Sequence, residues 1–270
     1  MAPDAPAARA ARPARTVLAC ALLAVVLVAV ACLAPVLPGN PDLYLHLVWA
    51  HQVMRCLAAG SLPLWLPDLN AGFGSPGIRL ASPLGPVLDG ALGLALGDAS
   101  RGLRLGALLA AAGVVVVCRG RRERRRGWAE AALVLASPAV LFALLGRSAW
   151  SEVLALPLLV WLLESAVTGW PGAAWGGFGL AVLWLLHAPS TLAAVGLALL
   201  AQVLRTDVRA LARVAASVLV AAGLTAWHWL PLVDEAAYVG SRAALTGGIY
   251  RAARNVLGSS ESHEIGRAHV

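Results

Sequence analysis

Long apolar runs alternate with short polar connections along this chain, and most of the runs are long enough, or nearly so, to cross a bilayer. A membrane-spanning helix needs about 20 predominantly apolar residues. The pattern therefore predicts about seven transmembrane helices, at residues 16–37, 103–118, 128–146, 150–167, 172–187, 189–204 and 211–230.

Composition supports an all-α integral membrane protein. The 270 residues are 60% hydrophobic and 13% charged, with a mean hydropathy of +0.77. Soluble domains are about half apolar and about a quarter charged. The net charge of +7 comes from arginines beside apolar runs, which the positive-inside rule explains without a nucleic-acid partner. The four cysteines form no CxxC pair, so neither a disulfide framework, a metal site nor another cofactor is predicted.

The arginines also predict the topology. Clusters at 119–126 and 205–213 are expected in the cytoplasm, together with a disordered leader at 1–15. The first run, 16–37, could instead be a signal peptide, but its length favours an uncleaved helix. The connection 38–82 is then external, and its stretch 42–59 has the pattern of an amphipathic helix.

The short apolar stretch 82–96 contains Pro83, Pro86 and Asp89. If it crossed the membrane, the next span would carry the cluster 119–126 to the outside. We therefore predict an interfacial helix here.

The last six residues match the translation of a common sequencing adapter. Residues 265–270 are therefore predicted to be an artefact. Residues 16–264 are predicted to be the N-terminal part of a longer transmembrane domain.

Candidate chemistry collects at the predicted outer ends of the spans. Asp42 and His46 are four residues apart, which places both on one face of a helix. A helix cap is an equally weighted role for Asp42, and His46 could be a polar residue at the interface. Arg147 and Glu152 flank the turn between the third and fourth spans, where a simple ion pair is the alternative. His187 ends the fifth span, and it could merely anchor that end at the interface.

The order of motifs after the first span resembles the first outer loop of GT-C glycosyltransferases. A Pro-Asp pair, an amphipathic helix, Gly-Ser-Leu-Pro-Leu-Trp, a glycine-rich segment and a proline-led interfacial helix follow one another. The later Gly-Arg-Ser-Ala and His-Ala-Pro-Ser-Thr segments resemble a bacterial membrane family labelled 6-pyruvoyl-tetrahydropterin synthase-related, close to YfhO-type proteins. The resemblance covers roughly residues 36–238, and the pterin label implies no activity here.

This resemblance implies a GT-C-like helical bundle in the bacterial inner membrane with its N-terminus in the cytoplasm. The donor would be a polyprenyl-phosphate-linked sugar, and Asp42 matches the catalytic base at the start of the first outer loop. Substrate-binding residues would be His46, Arg55, Arg79, Arg147, Glu152 and His187, with the arginines facing the lipid phosphate.

Leu43 stands where the better-known transferases often have a second acid, so metal assistance is not predicted. Two other classes stay open: a lipid or sugar transporter, and a non-enzymatic membrane assembly factor.

Overall fold

A computed structural model describes residues 41–69, 73–76, 78, 82–120, 124–147 and 149–235. Within these ranges the chain is helical and contains no strand; Leu66 and Ser75 form an isolated antiparallel bridge. The predicted leader, the first span at 16–37 and the segment 265–270 lie outside the described residues.

Ten α-helices and one π-helix are described. They are α1 (Pro41–Ala58), α2 (Leu84–Leu96), α3 (Ala99–Gly120), α4 (Arg124–Leu135), α5 (Pro138–Leu141), π1 (Phe142–Arg147), α6 (Trp150–Thr168), α7 (Ala173–Leu186), α8 (Ala188–Leu204), α9 (Val208–Leu224) and α10 (Ala226–Glu235). The first nine α-helices and π1 belong to one compact unit, whereas α10, which contains Pro231, belongs to a second.

The predicted amphipathic helix of the outer loop is present as α1. Its buried Val53 packs against Leu66 and Ile78 of the following loop. In that loop Leu66 and Ser75 exchange backbone hydrogen bonds of 2.8 and 3.0 Å. Gly74 has a φ of 79° and lies under the Trp65 ring, so a side chain there would be strained and would collide with the indole. These contacts fold the loop back onto α1.

Helix α2 packs between α1 and α3 through its glycines. A Cβ at Gly90 would lie 2.5 Å from Val53 of α1, and one at Gly102 of α3 would lie 2.5 Å from Gly93. Small residues allow such close helix approach. With 13 residues, α2 is only about 20 Å long, which agrees with its predicted shortness.

Helices α3, α6 and α8 run in the same direction. Gly106 and Gly113 of α3 approach Leu154 and Pro157 of α6 in that order. The last turn of α8 meets the last turn of α6, where Gln202 donates a 2.7 Å hydrogen bond to the Ala166 carbonyl. One end of the bundle therefore carries the beginnings of all three helices, and the other end carries their last turns.

Helix α7 packs against α9 through a second set of small residues. The Trp170 indole donates a buried 2.9 Å hydrogen bond from Nε1 to Ser217 Oγ. Gly176 lies against both of these side chains, while Gly177 lies against Val220. This contact belongs to a core that α6, α7, α8 and α9 share.

Helices α3 and α6 are each long and apolar enough to cross a membrane, and the number of candidate spans rises to four if each of two interrupted helix pairs is one span. One pair is the predicted span 128–146, which bends by 46° between residues 135 and 138. The other is the predicted span 211–230, which is divided between α9 and α10. Helices α7 and α8 occupy the predicted fifth and sixth spans but are shorter than the length required of a candidate.

Candidate functional site

A small cleft that several polar side chains line lies at the end of the bundle where α1, α6 and α8 begin. Its volume is about 160 Å³. The residues that line it are Asp42, His46, Trp49, Ser82, Ala149, Ser151, Glu152 and His187. Four of them are site residues predicted from the sequence, and they come from segments of the chain more than 100 residues apart.

Helix α1 contributes one face to this cleft. Asp42, His46 and Trp49 follow the spacing of four and three residues that aligns side chains along a helix. The His46 and Trp49 rings meet edge to face, with centroids 6.1 Å apart and planes at 86°. Because α1 begins at Pro41, Asp42 lies inside its first turn, where the helix dipole favours a negative charge.

The first turn of α6 contributes Ser151 and Glu152. The residue before it, Ala149, donates a 2.7 Å backbone hydrogen bond to the Ala143 carbonyl of π1 and so ties this turn to π1. Gly85 of α2 lies close to the Ser151 side chain, where a Cβ would be 2.6 Å from Oγ. Glu152 is therefore placed by a tightly packed turn.

His187 separates α7 from α8 in an extended conformation, with φ of −160° and ψ of 96°. Its Nδ1 atom lies 2.7 Å from Ser190 Oγ, three residues later. The next backbone N–H, that of Ala188, donates a 3.1 Å hydrogen bond to Ser82 Oγ. The imidazole is thus held by its own helix, and that helix start is held by the segment before α2.

Of the three candidate arginines only Arg55 has a described side chain, and it is not among the described residues that line this cleft. Arg55 forms an ion pair with Asp68 at the exposed end of α1. Arg147 ends π1, and its backbone comes two residues before Ala149 of the cleft. Arg79 and the side chain of Arg147 lie outside the described residues.

Four polar or aromatic residues near the site were not predicted from the sequence: Trp49, Ser82, Ser151 and Ser190. Two of them had a local signal. Trp49 continues the helical face of Asp42 and His46, and Ser190 stands three residues after His187. Ser82 and Ser151 reach the cleft only through packing between helices, which leaves no mark in the local sequence.

One carboxyl is buried away from the cleft. Asp89 of α2 is 1% exposed, and neither of its oxygens has a hydrogen-bond partner within the described residues. Gly106 of α3 faces it, and a Cβ at that glycine would lie 2.7 Å from Oδ1. Helix α2, which carries Asp89, is too short to be a candidate membrane span. Burial raises the pKa of Asp89 to about 8.

The cleft combines two carboxyl side chains with two imidazoles in a space of a few water molecules. Such groups can accept a proton from a hydroxyl and hold the polar part of a substrate. Among the described residues, no group of three or more His, Cys, Asp or Glu side chains has the arrangement needed to hold a metal ion.

No protein-family model, curated protein or solved structure matches this chain. The resemblance to GT-C transferases therefore stays a prediction from the order of its motifs.

Proposed function

We propose that this protein is a membrane glycosyltransferase that transfers a sugar from a polyprenyl-phosphate donor to a hydroxyl group at the outer leaflet. One observation carries the proposal: Asp42, His46, Glu152 and His187 converge on one cleft at one end of the bundle. A carboxylate base and polar side chains for the sugar are what such a transfer needs from the protein.

The proposed reaction uses Asp42 as the base. The acceptor oxygen bonds to the anomeric carbon of the donor sugar while the bond between that carbon and the phosphate oxygen breaks. The leaving polyprenyl phosphate takes the bonding electron pair, and the acceptor hydroxyl proton passes to Asp42. His187, whose Nδ1 is held by Ser190, is placed to orient the sugar or acceptor by hydrogen bonding.

The phosphate needs a positive partner when it leaves. Arg147 is the candidate that remains near the cleft, because its backbone ends π1 two residues before Ala149. Arg55 is already paired with Asp68, so it is a weaker candidate for this role.

The direction of the helices supports an outer-face location. The cleft lies where α6 and α8 begin, whereas Arg119 and Arg205 stand at the far ends of α3 and α8. If those arginines are cytoplasmic by the positive-inside rule, the cleft faces the other side of the bacterial inner membrane. A lipid-linked donor could then reach it from the outer leaflet.

A lipid or sugar transporter is the second candidate, and Asp89 is the observation that favours it. Buried ionisable groups in membrane proteins commonly mark transport or proton pathways. In a transporter, Asp89→Asn should abolish solute movement, whereas it should leave sugar transfer at the Asp42 cleft in place. A non-enzymatic assembly factor would show neither activity.

Reconstitution into liposomes tests the proposal. The purified protein would be supplied with radiolabelled polyprenyl-phosphate-linked hexoses and pentoses and with envelope glycans as acceptors. We expect labelled glycan and released polyprenyl phosphate in equal amounts. Movement of intact donor across the bilayer without release of lipid phosphate would indicate a transporter and contradict the proposal. No transfer from any of these donors would also contradict it.

A further inference from the structure

A second and larger cleft lies on the opposite face of α1. Its volume is about 740 Å³, within the range of small-ligand sites. Its lining comes from α1, from the following loop, from the connection between α2 and α3, and from the first turn of α3. The lining residues are Tyr44, Leu47, Val48, His51, Gln52, Asp68, Leu69, Asp98, Ala99 and Ser100.

This cleft offers hydrogen-bonding groups that the fold holds in place. The Asp98 carboxylate accepts hydrogen bonds from the Ser100 hydroxyl and the Arg101 backbone N–H, and these bonds lower its pKa. Asp68 forms an exposed ion pair with Arg55. Fixed side chains lose little conformational entropy when a ligand binds.

Gln52 is the feature that points to a ligand. It is 7% exposed and lines the cleft, yet its Oε1 has no hydrogen-bond partner among the described residues. A buried amide oxygen left without a partner carries a desolvation cost. A rotation of roughly 180° around the terminal bond of the amide would present this oxygen to the cleft, where a ligand hydroxyl that donates to it would remove that cost.

The charges and shapes of the lining favour a neutral, hydroxyl-rich ligand. Among the described residues that line the cleft there is no arginine, and Arg55 beside it is already paired with Asp68, so the lining offers a phosphate no cation to offset the Asp98 carboxylate. Sugar hydroxyls both donate and accept, which matches carboxylate, amide and imidazole groups. The apolar side chains of Leu47, Val48 and Leu69 can pack against the C–H face of a sugar ring.

We propose that this second cleft binds a neutral oligosaccharide. Its assignment as the holder of the non-reacting units of the glycan acceptor rests on the proposed function, whereas saccharide binding itself does not. The two clefts lie on opposite faces of α1, so the acceptor would pass around this helix to bring one hydroxyl to Asp42.

Two substitutions separate binding from folding. Gln52→Met keeps the length of the side chain and removes the buried amide, so the fold is retained. Asp98→Asn removes the charge but keeps a side chain that caps a helix well. Asp207→Asn is the matched control, because Asp207 also caps a helix, accepting a hydrogen bond from the Ala210 N–H, and lines neither cleft.

The experiment screens the detergent-purified protein on an array of neutral, anionic and cationic oligosaccharides, then titrates the best ligand by fluorescence. We expect a neutral glycan to bind, about threefold to tenfold more weakly with Gln52→Met or Asp98→Asn, and with unchanged affinity to Asp207→Asn. Equal binding by all variants, preference for a charged glycan, or no binding would overturn the inference. Neutral binding with this pattern but no sugar transfer would leave the inference standing and reject only the proposed function.

Discussion

The Nδ1 atom of His187 lies 2.7 Å from the hydroxyl oxygen of Ser190, in the first turn of α8. The hydroxyl holds one ring nitrogen and thereby restricts the rotation and the tautomer of the imidazole. Ser190 is itself buried, at 8% exposure, and it supports His187, which lines the cleft.

Ser190→Ala should therefore change the chemistry of His187 more than it changes stability. We expect sugar transfer to slow about threefold to tenfold, as the loss of one hydrogen bond implies. The pH at which transfer is half-maximal should also shift. Ser190→Thr keeps a hydroxyl and should restore the wild-type profile. A pH–rate profile for Ser190→Ala that coincides with the wild-type profile would show that Ser190 does not position His187.

Gly176→Ala should destabilise the contact between α7 and α9. The added Cβ would lie 2.5 Å from Ser217 Oγ and 2.7 Å from Trp170 Nε1, the two atoms of a buried hydrogen bond. We expect the free energy of unfolding to fall by about 1–3 kcal/mol, measured as a lower Tm in detergent. Gly196→Ala is the control, because nothing lies within 4 Å of its Cβ position. A Tm for Gly176→Ala as high as that of the control would contradict the packing described for α7.

Asp89→Asn should remove a pH dependence of stability. The pKa of Asp89 is raised to about 8 in the folded protein, from 3.8, so the folded state holds a proton that the unfolded state has lost between these values. Wild-type stability should therefore fall as pH rises through this window, by up to about 1.4 kcal/mol per pH unit from this group. Asp89→Asn has no carboxyl to titrate and should not lose this stability. The free energy of unfolding of the variant, relative to that of the wild type, should therefore increase up to about pH 8 and then stay constant.

The stability that Asp98 contributes should change with pH in the opposite direction, which unfolding of Asp98→Asn over the same pH range would test. Hydrogen bonds from Ser100 and Arg101 lower the pKa of Asp98, so its contribution is present at neutral pH and is lost as pH falls below the unfolded value. The difference in the free energy of unfolding between Asp98→Asn and the wild type should become smaller at acid pH.

For Asp89, the contradicting result is a difference in the free energy of unfolding between Asp89→Asn and the wild type that stays constant from pH 4 to pH 8. It would show that Asp89 is not buried as described.

Cysteine labelling should find Leu62 and Gly120 on opposite sides of the membrane. Leu62 is 77% exposed in the predicted outer loop, and Gly120 ends α3 with open space around its Cβ position. In a variant whose native cysteines are replaced by alanine, an impermeant maleimide added to intact cells should label Leu62→Cys and miss Gly120→Cys. Permeabilised cells, in which both should react, provide the control. The reverse pattern in intact cells would reject the predicted topology.

Local pattern was sufficient where a helix is decided by its own residues. The amphipathic stretch predicted at 42–59 is α1, Pro41–Ala58. A proline at the first position and apolar residues recurring at helical spacing on one face are sufficient to specify this helix. The predicted span 150–167 is likewise α6, Trp150–Thr168.

The breaks within the predicted spans 128–146 and 211–230 were harder to predict, although the local sequence indicates one of them. The predicted span 128–146 ends its first helix at Leu135, and Ser137 then caps α5, accepting a hydrogen bond from the Val140 N–H. Serine before proline is a common helix start. Because residues 128–146 are apolar over most of their length, hydropathy alone predicts one continuous helix and does not show the break before Pro138.

The cleft could be predicted only in part. The spacing of Asp42 and His46 placed them on one helical face, and the topology placed Glu152 and His187 at the same level. Their meeting depends on how closely the helices pack, for example where Gly85 admits Ser151. A sequence pattern carries no direct information on such distant contacts.

The most direct test of the proposed active site is the rate of sugar transfer by Asp42→Asn in liposomes, measured with a radiolabelled polyprenyl-phosphate sugar. Asparagine keeps the size of the side chain and can still interact with the helix start, but it cannot act as the base. We expect transfer to fall by about 100-fold or more, within the range of general-base contributions, while expression and Tm are unchanged. Asp207→Asn, outside both clefts, should retain transfer. Equal rates for Asp42→Asn and the wild type would contradict the account.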